Sequence, residues 1–173
     1  MGPVHDPKAG DAITHVVPLR FPAPGDLLAF TRADVVFAGV DHSGCSYGVR
    51  LFLNNPDAGA GTPRDDAVRY AGRFHVFGHG GCFGDVGHCD VPPPSSDPTD
   101  LRPAHPLTPL DTYVTVTAAL RRLLAAGAAL ESVTLVPIAL PPRRQDRAPA
   151  AGLFHFQSVD LRTYLTPADQ PAI

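Results

Sequence analysis

The sequence predicts a mainly β protein: an antiparallel β-sandwich with one short helix and long proline-rich loops. Three observations point there. Apolar residues fall in short runs of β-branched and aromatic character. Among 173 residues, 20 prolines and 16 glycines break those runs at close intervals. A single stretch carries helical spacing. The expected organisation is an extended or disordered N-terminus over 1–13, one sandwich domain over 14–166 and a C-terminal tail over 167–173.

The elements follow in chain order. Residues 16–19, 27–31 and 34–40 read as the first strands. Residues 47–53 form the clearest one, because Tyr47, Val49, Leu51 and Leu53 alternate toward one face before Asn54-Asn55-Pro56-Asp57, a sequence that starts turns. Residues 58–66 are small, polar and proline-broken and read as a surface loop, and 69–77 alternate again. Seven prolines lie between Val91 and Pro109, so that segment is covering chain and not helix. The helix is expected over 117–126, with Leu120, Leu123 and Leu124 on one face, Thr117 near the start and Gly127 as the stop. Residues 132–140 read as a strand in which Pro137 marks an edge or a bulge, and 153–165 as a last aromatic-rich strand. The shared core expected from these alternations is Val49, Leu51, Leu53, Phe74, Val76, Leu120, Val133 and Leu135.

Composition excludes several classes. A formal net charge of -3, with the basic residues scattered singly, gives no footprint for nucleic acid or an anionic membrane surface. The first 20 residues lack the basic and apolar blocks of a secretory signal, and no window approaches a membrane span, so the expectation is a cytoplasmic chain. The glycines near Gly78 open no helix, so no phosphate cradle is formed. Ser43 and Ser46 near His42 lack a nucleophile elbow and a placed acid partner.

Chemistry concentrates in one stretch, 74–91, which holds three of the eight histidines, two of the three cysteines and five glycines. Two His-x-Gly-Cys units stand out, His42-Ser43-Gly44-Cys45 and His79-Gly80-Gly81-Cys82, followed by His88-Cys89. Soft ligands on a freely turning backbone make His42, Cys45, His79, Cys82, His88 and Cys89 the candidate metal ligands, for zinc with four ligands or Cu(I) with two to four. A blue-copper site lacks its axial methionine, since Met1 is the only one. Other readings stand beside this one: small buried cysteines and histidines on backbone carbonyls, or a disulfide from Cys45 to Cys82 or Cys89. His75 and His79 share a side in a β setting. His15 and His105 read as solvated side chains, and His155 as facing either into the site or away. If the strand 47–53 pairs antiparallel with 69–77, His42 and His79 fall at the same end of the sheet. Asp85 and Asp90 are expected to orient ligating histidines at most.

Four of these segments together resemble the C-terminal β-domain of plant and bacterial polyphenol oxidases and tyrosinase-like proteins. They are the strand 47–53 ending in Asn54; Tyr70-Ala71-Gly72-Arg73-Phe74 with Gly78-His79 after it; the leucine-rich helix ending at Gly127; and Val133-Thr134-Leu135-Val136-Pro137. Their order agrees with the family, and the resemblance covers roughly 29–165. It implies a sandwich that packs against a helical copper domain and covers its active site. The catalytic domain itself, with two sets of three histidines on a helical bundle, has no counterpart here. The expected role is therefore a non-catalytic, copper- or zinc-binding accessory domain that covers, or supplies copper to, a tyrosinase-like partner. The alternatives are a small metalloenzyme with an open coordination position, or a structural module whose loop is held by zinc or a disulfide.

Overall fold

The computed structural model describes residues 14–19, 21, 30–79, 85–88, 90–93, 95–101, 105–140 and 152–165. Among the described residues seven strands are formed: β1 (His15–Pro18), β2 (Arg32–Val40), β3 (Tyr47–Leu53), β4 (Tyr70–Val76), β5 (Leu110–Thr115), β6 (Ser132–Ala139) and β7 (Ser158–Tyr164). One helix, α1 (Thr117–Ala125), lies between β5 and β6. A four-stranded sheet in the order β1-β6-β3-β4 faces a three-stranded sheet in the order β5-β2-β7, and every pairing is antiparallel. Among the described residues no helix is long and apolar enough to cross a membrane.

Alternation builds the core. Val49, Leu51 and Leu53 of β3, Phe74 and Val76 of β4, and Val133 and Leu135 of β6 meet Val35 and Phe37 of β2 and Val114 of β5 in one buried cluster, joined by Leu120 of α1. All eight residues expected to share a core do so. The two layers touch through rings: Phe37 and Phe74 stand 4.9 Å apart between centroids, and Phe154 packs within 6.2 Å of Phe37 and 5.9 Å of Tyr47. Burying a side chain of this size contributes about 1.5–3 kcal/mol, so the cluster is the main source of stability. Strand β3 is buried on both faces, because Phe52 joins Val136 and Ala58 in a second cluster under residues 54–69. The surface loop expected over 58–66 thus also covers the outer face of the larger sheet.

Several expectations need correction. Residues 110–115, not foreseen as a strand, form β5, and its Val114 points into the core. Of the strand expected over 27–31, residues 27–29 lie outside the described ones, and Phe30 and Thr31 are not extended into a strand. The last strand begins at Ser158, while Phe154, ahead of it, turns fully into the core. Strand β6 is internal, not an edge. Its Pro137 sits opposite Val49 and two residues beyond Leu135, the last β6 residue paired with β1, so the missing N–H falls where β1 makes no pairing. Thr117 does not cap α1. Its hydroxyl accepts a hydrogen bond from the Ala33 N–H at 2.9 Å and fastens the helix start to β2 instead.

Asn54 closes one end of the sandwich. Its backbone is left-handed (φ 46), a conformation that asparagine tolerates better than most side chains. Its amide donates to Ala129 O at 2.6 Å, and its Oδ1 accepts from the Glu131 and Ser132 N–H groups at 2.8 and 3.0 Å. The end of β3 is thereby locked to the α1–β6 turn, which Gly127 (φ 74) begins.

Register fixes what lies at the other end. Val40 pairs with Leu110, Ala38 with Ser158, and Tyr47 with both Val76 and Ala139. The β2–β3, β4–β5 and β6–β7 connections therefore all leave the sheets at the same end. In sequence those connections hold His42, His79, His88, His105, His155 and all three cysteines.

Candidate metal centre

Of the four expected ligands that are described, His42 and His79 come together. His42 follows β2 and is buried, with 8% of its surface exposed; His79 follows β4 and is exposed. Their rings stand 4.9 Å apart between centroids, at 66° to each other. The antiparallel β3–β4 pairing brings them to one end, as the order of units along the chain requires. The His79 N–H donates to His42 O at 3.0 Å, and the Gly78 N–H donates to Ser46 Oγ at 3.0 Å. Glycine at 78 is required by this approach, because a Cβ there would overlap Gly44 O and the Cys45 backbone.

The hydrogen bonds set the tautomers. His42 Nε2 lies 2.8 Å from Thr108 O, and a carbonyl only accepts, so Nε2 carries the proton and Nδ1 keeps its lone pair. His79 Nδ1 lies 3.3 Å from His42 O, which leaves the lone pair on Nε2. Outer nitrogens anchored on carbonyls are the usual support of ligating imidazoles. Thr108 was not foreseen, because a backbone acceptor has no signature in side-chain chemistry. The turn that presents it is built by His105, whose carbonyl accepts from the Thr108 N–H at 2.8 Å and whose Nδ1 accepts from the Leu107 N–H at 3.2 Å. His105 is thus a turn-building residue and not merely a solvated one.

Around the pair, Asp41 is fixed by the Ser43 N–H at 2.8 Å and donates its own N–H to His155 O at 3.0 Å. Burial disfavours its charge, but the Ser43 hydrogen bonds and the nearby His155 and His42 outweigh this and hold its pKa below the ordinary value. The Tyr47 hydroxyl donates to Asp41 O at 2.7 Å, and burial, with Asp41 adding to it, pushes that phenol well above its usual range. His15 also departs from expectation: its ring meets Phe154 and Phe156 edge-on at 5.7 and 5.5 Å.

Neither of the other two described candidates completes a group of three with the pair. Cys45 is a free, partly buried thiol. His88 is exposed in the turn at 85–88, its N–H donating to Asp85 O at 3.0 Å. His75 leans over Gly48 on the outer face of the larger sheet, and His155 is exposed. Cys82 and Cys89 lie outside the described residues. Among the described residues, no three His, Cys, Asp or Glu side chains are grouped to hold a metal ion.

With this geometry in hand, solved structures give the comparison that matters. A recombinantly expressed latent aurone synthase, a polyphenol oxidase, matches with a TM-score of 0.51 and 11% identity, over 91% of this chain and 25% of that one. Latent aurone synthase from a natural source matches with a TM-score of 0.50 and 14% identity, over 95% and 27%. The fold is that of one part of a polyphenol oxidase. This chain spans about a quarter of the length of those enzymes, and at such identities the likeness is of architecture. No family model and no curated protein matches the sequence.

Proposed function

We propose that this chain is a non-catalytic accessory β-domain that binds copper or zinc at its histidine end and covers, or supplies copper to, a tyrosinase-like partner. The observation that carries the reading is the coverage: nearly all of this chain corresponds in fold to about a quarter of a latent polyphenol oxidase. Chemistry supports it. The described fold offers one nine-residue helix and no helical bundle on which two sets of three histidines are mounted. The His42–His79 pair supplies nitrogen donors at the end of the sandwich where β2 and β4 finish. The test is turnover. The isolated protein, with copper added, is expected to oxidise neither catechol nor a monophenol; oxidation that a chelator abolishes would replace the accessory reading with an enzymatic one.

A further inference from the structure

We infer that β7 is the pairing edge of a symmetric homodimer, in which the β7 strands of two copies run antiparallel about a twofold axis at Leu161 and join their smaller sheets into one. This is independent of the metal-binding and accessory readings and uses no residue of either. In the order β5-β2-β7, strand β7 has β2 on one side and, among the described residues, no strand on the other. Hydrogen-bond parity tells which of its groups face that open side. The Val116 N–H donates to Ala33 O at 2.8 Å, continuing the ladder in which Asp34 pairs with Thr115 and Val35 with Val114, so odd-numbered residues of β2 bond toward β5. The even-numbered ones, Arg32, Asp34, Val36 and Ala38, therefore bond toward β7, where their partners are Tyr164, Arg162, Asp160 and Ser158. The N–H and C=O groups of Val159, Leu161 and Thr163 are thereby turned to the open edge.

The side chains select the partner and its register. Placing Leu161 opposite its own copy sets Val159 opposite Thr163, and each of these pairs exchanges two main-chain hydrogen bonds. Val159 and Leu161, half-buried against the core, are covered at the seam. On the outer face lie the pairs without hydrogen bonds, where opposing side chains come closest. There Asp160 of each copy meets Arg162 of the other, and Ser158 meets Tyr164, all of them exposed in the single chain. Sliding the strands by two residues opposes Asp160 to Asp160 or Arg162 to Arg162. Sliding them by one sets core-facing residues against outward ones. A single register thus satisfies both faces. Charges on an edge strand ordinarily discourage pairing, but opposite charges two residues apart make β7 complementary to its own antiparallel copy, the relation a twofold interface requires. A strand pair alone is small for an interface, so the association is expected to depend on concentration.

The experiment uses the full chain without added metal. Sedimentation equilibrium over a concentration series is expected to show the 18.2 kDa chain in exchange with a species of twice that mass. D160R, at an exposed position opposite Val36, faces Arg162 with a second positive charge and should weaken the dimer at least about tenfold. T163P removes an N–H that β2 does not use and should weaken it as far without loosening the sheet. R162D, across from Asp34, is read only as a folded chain: alone it should be monomeric, and mixed with D160R it should form a heterodimer within about threefold of the wild-type affinity. Hydrogen exchange reads the register. The amides of Val159, Leu161 and Thr163 should be protected in the dimer and released in D160R, while those of Asp160 and Arg162 stay protected in both. A chain that is monomeric throughout, a dimer that D160R and T163P leave intact, or folded R162D that does not associate with D160R overturns the inference. Protection of the odd-numbered amides in the monomer does so too, and would mean that the chain covers this edge itself. None of these outcomes bears on metal uptake or catechol oxidation, so the proposed function stands or fails by its own test.

Discussion

At one end of the sandwich a single side chain, Asn54, satisfies two backbone N–H groups and one carbonyl of the α1–β6 turn. At the other, the segments carrying His42 and His79 are joined by the His79 N–H to His42 O bond, the Gly78 N–H to Ser46 Oγ bond and a glycine contact. The first end holds no histidine or cysteine between Asn54 and Arg69 or between Val116 and Glu131. The second gathers most of both. Separating clamp from chemistry has a physical logic. Loops rich in polar and titratable side chains bury little of the apolar area that stabilises the fold, and that work falls to the sheets and to the opposite end.

The sharpest way to break this division is to cut the clamp. Asn54→Ala removes three hydrogen bonds and leaves in the left-handed region a residue that tolerates it less well than asparagine, an expected loss of about 3 kcal/mol. Thermal or urea denaturation measures it, and Zn²⁺ uptake below the transition should be unchanged. A matching loss of metal affinity would show that the two ends are not separable. The complementary cut is Gly78→Ala, whose new Cβ meets Gly44 O and the Cys45 backbone. Overpacking of this kind costs about 1–3 kcal/mol, and we place it toward the lower end because the affected segments are peripheral. Metal uptake should nevertheless fall as far as in a His79→Gln variant, because His79 is carried away from His42. Wild-type uptake in Gly78→Ala would mean that the approach of the two segments does not make the site.

Much of the framework was legible in the sequence because period-two alternation and burial report the same thing. Val49, Leu51 and Leu53 read as one face and are one face. The exceptions are instructive. Strand β5 carries its own alternation, with Leu110, Thr112 and Val114 on the inner side, but it follows the proline-rich segment so closely that no element was assigned to it. Pro137 was read as an edge marker by a rule about strands. The rule applies to one side of one residue, and β1 simply makes no pairing there. Asn54 looked like a turn residue. Its value lies in partners 75 to 78 positions away, which no local pattern encodes. At the histidine end, the two units were visible by spacing and their convergence followed from strand order. The ring tautomers depend on Thr108 and His42 carbonyls, and main-chain acceptors leave no trace in residue identity. Cys45, equally prominent in the motif, is a free thiol that forms no group of three with the two histidines.

The smallest expected effect is a pH dependence, and it tests whether the histidine end weakens the fold by charge. His15 sits edge-on to Phe154 and Phe156, and its pKa is lowered, first by burial and then by the nearby His155. The folded state therefore binds a proton less readily than the unfolded chain, whose histidine titrates near the ordinary value of 6.5. Stability from this group is fully present above that value and is lost as pH falls from it toward the lower folded-state pKa, below which the loss stops growing. The side chain is only partly buried, so solvent screening keeps the penalty small. His15→Leu keeps an apolar contact with the two phenylalanine rings and removes the titration. Melting temperatures of wild type and His15→Leu, compared at pH 8 and at pH 5 without metal, should therefore differ more at pH 5, with the variant losing less on acidification. An equal or larger loss in the variant would mean that acid acts elsewhere at this end, and that His15 is held by its ring contacts without a charge penalty.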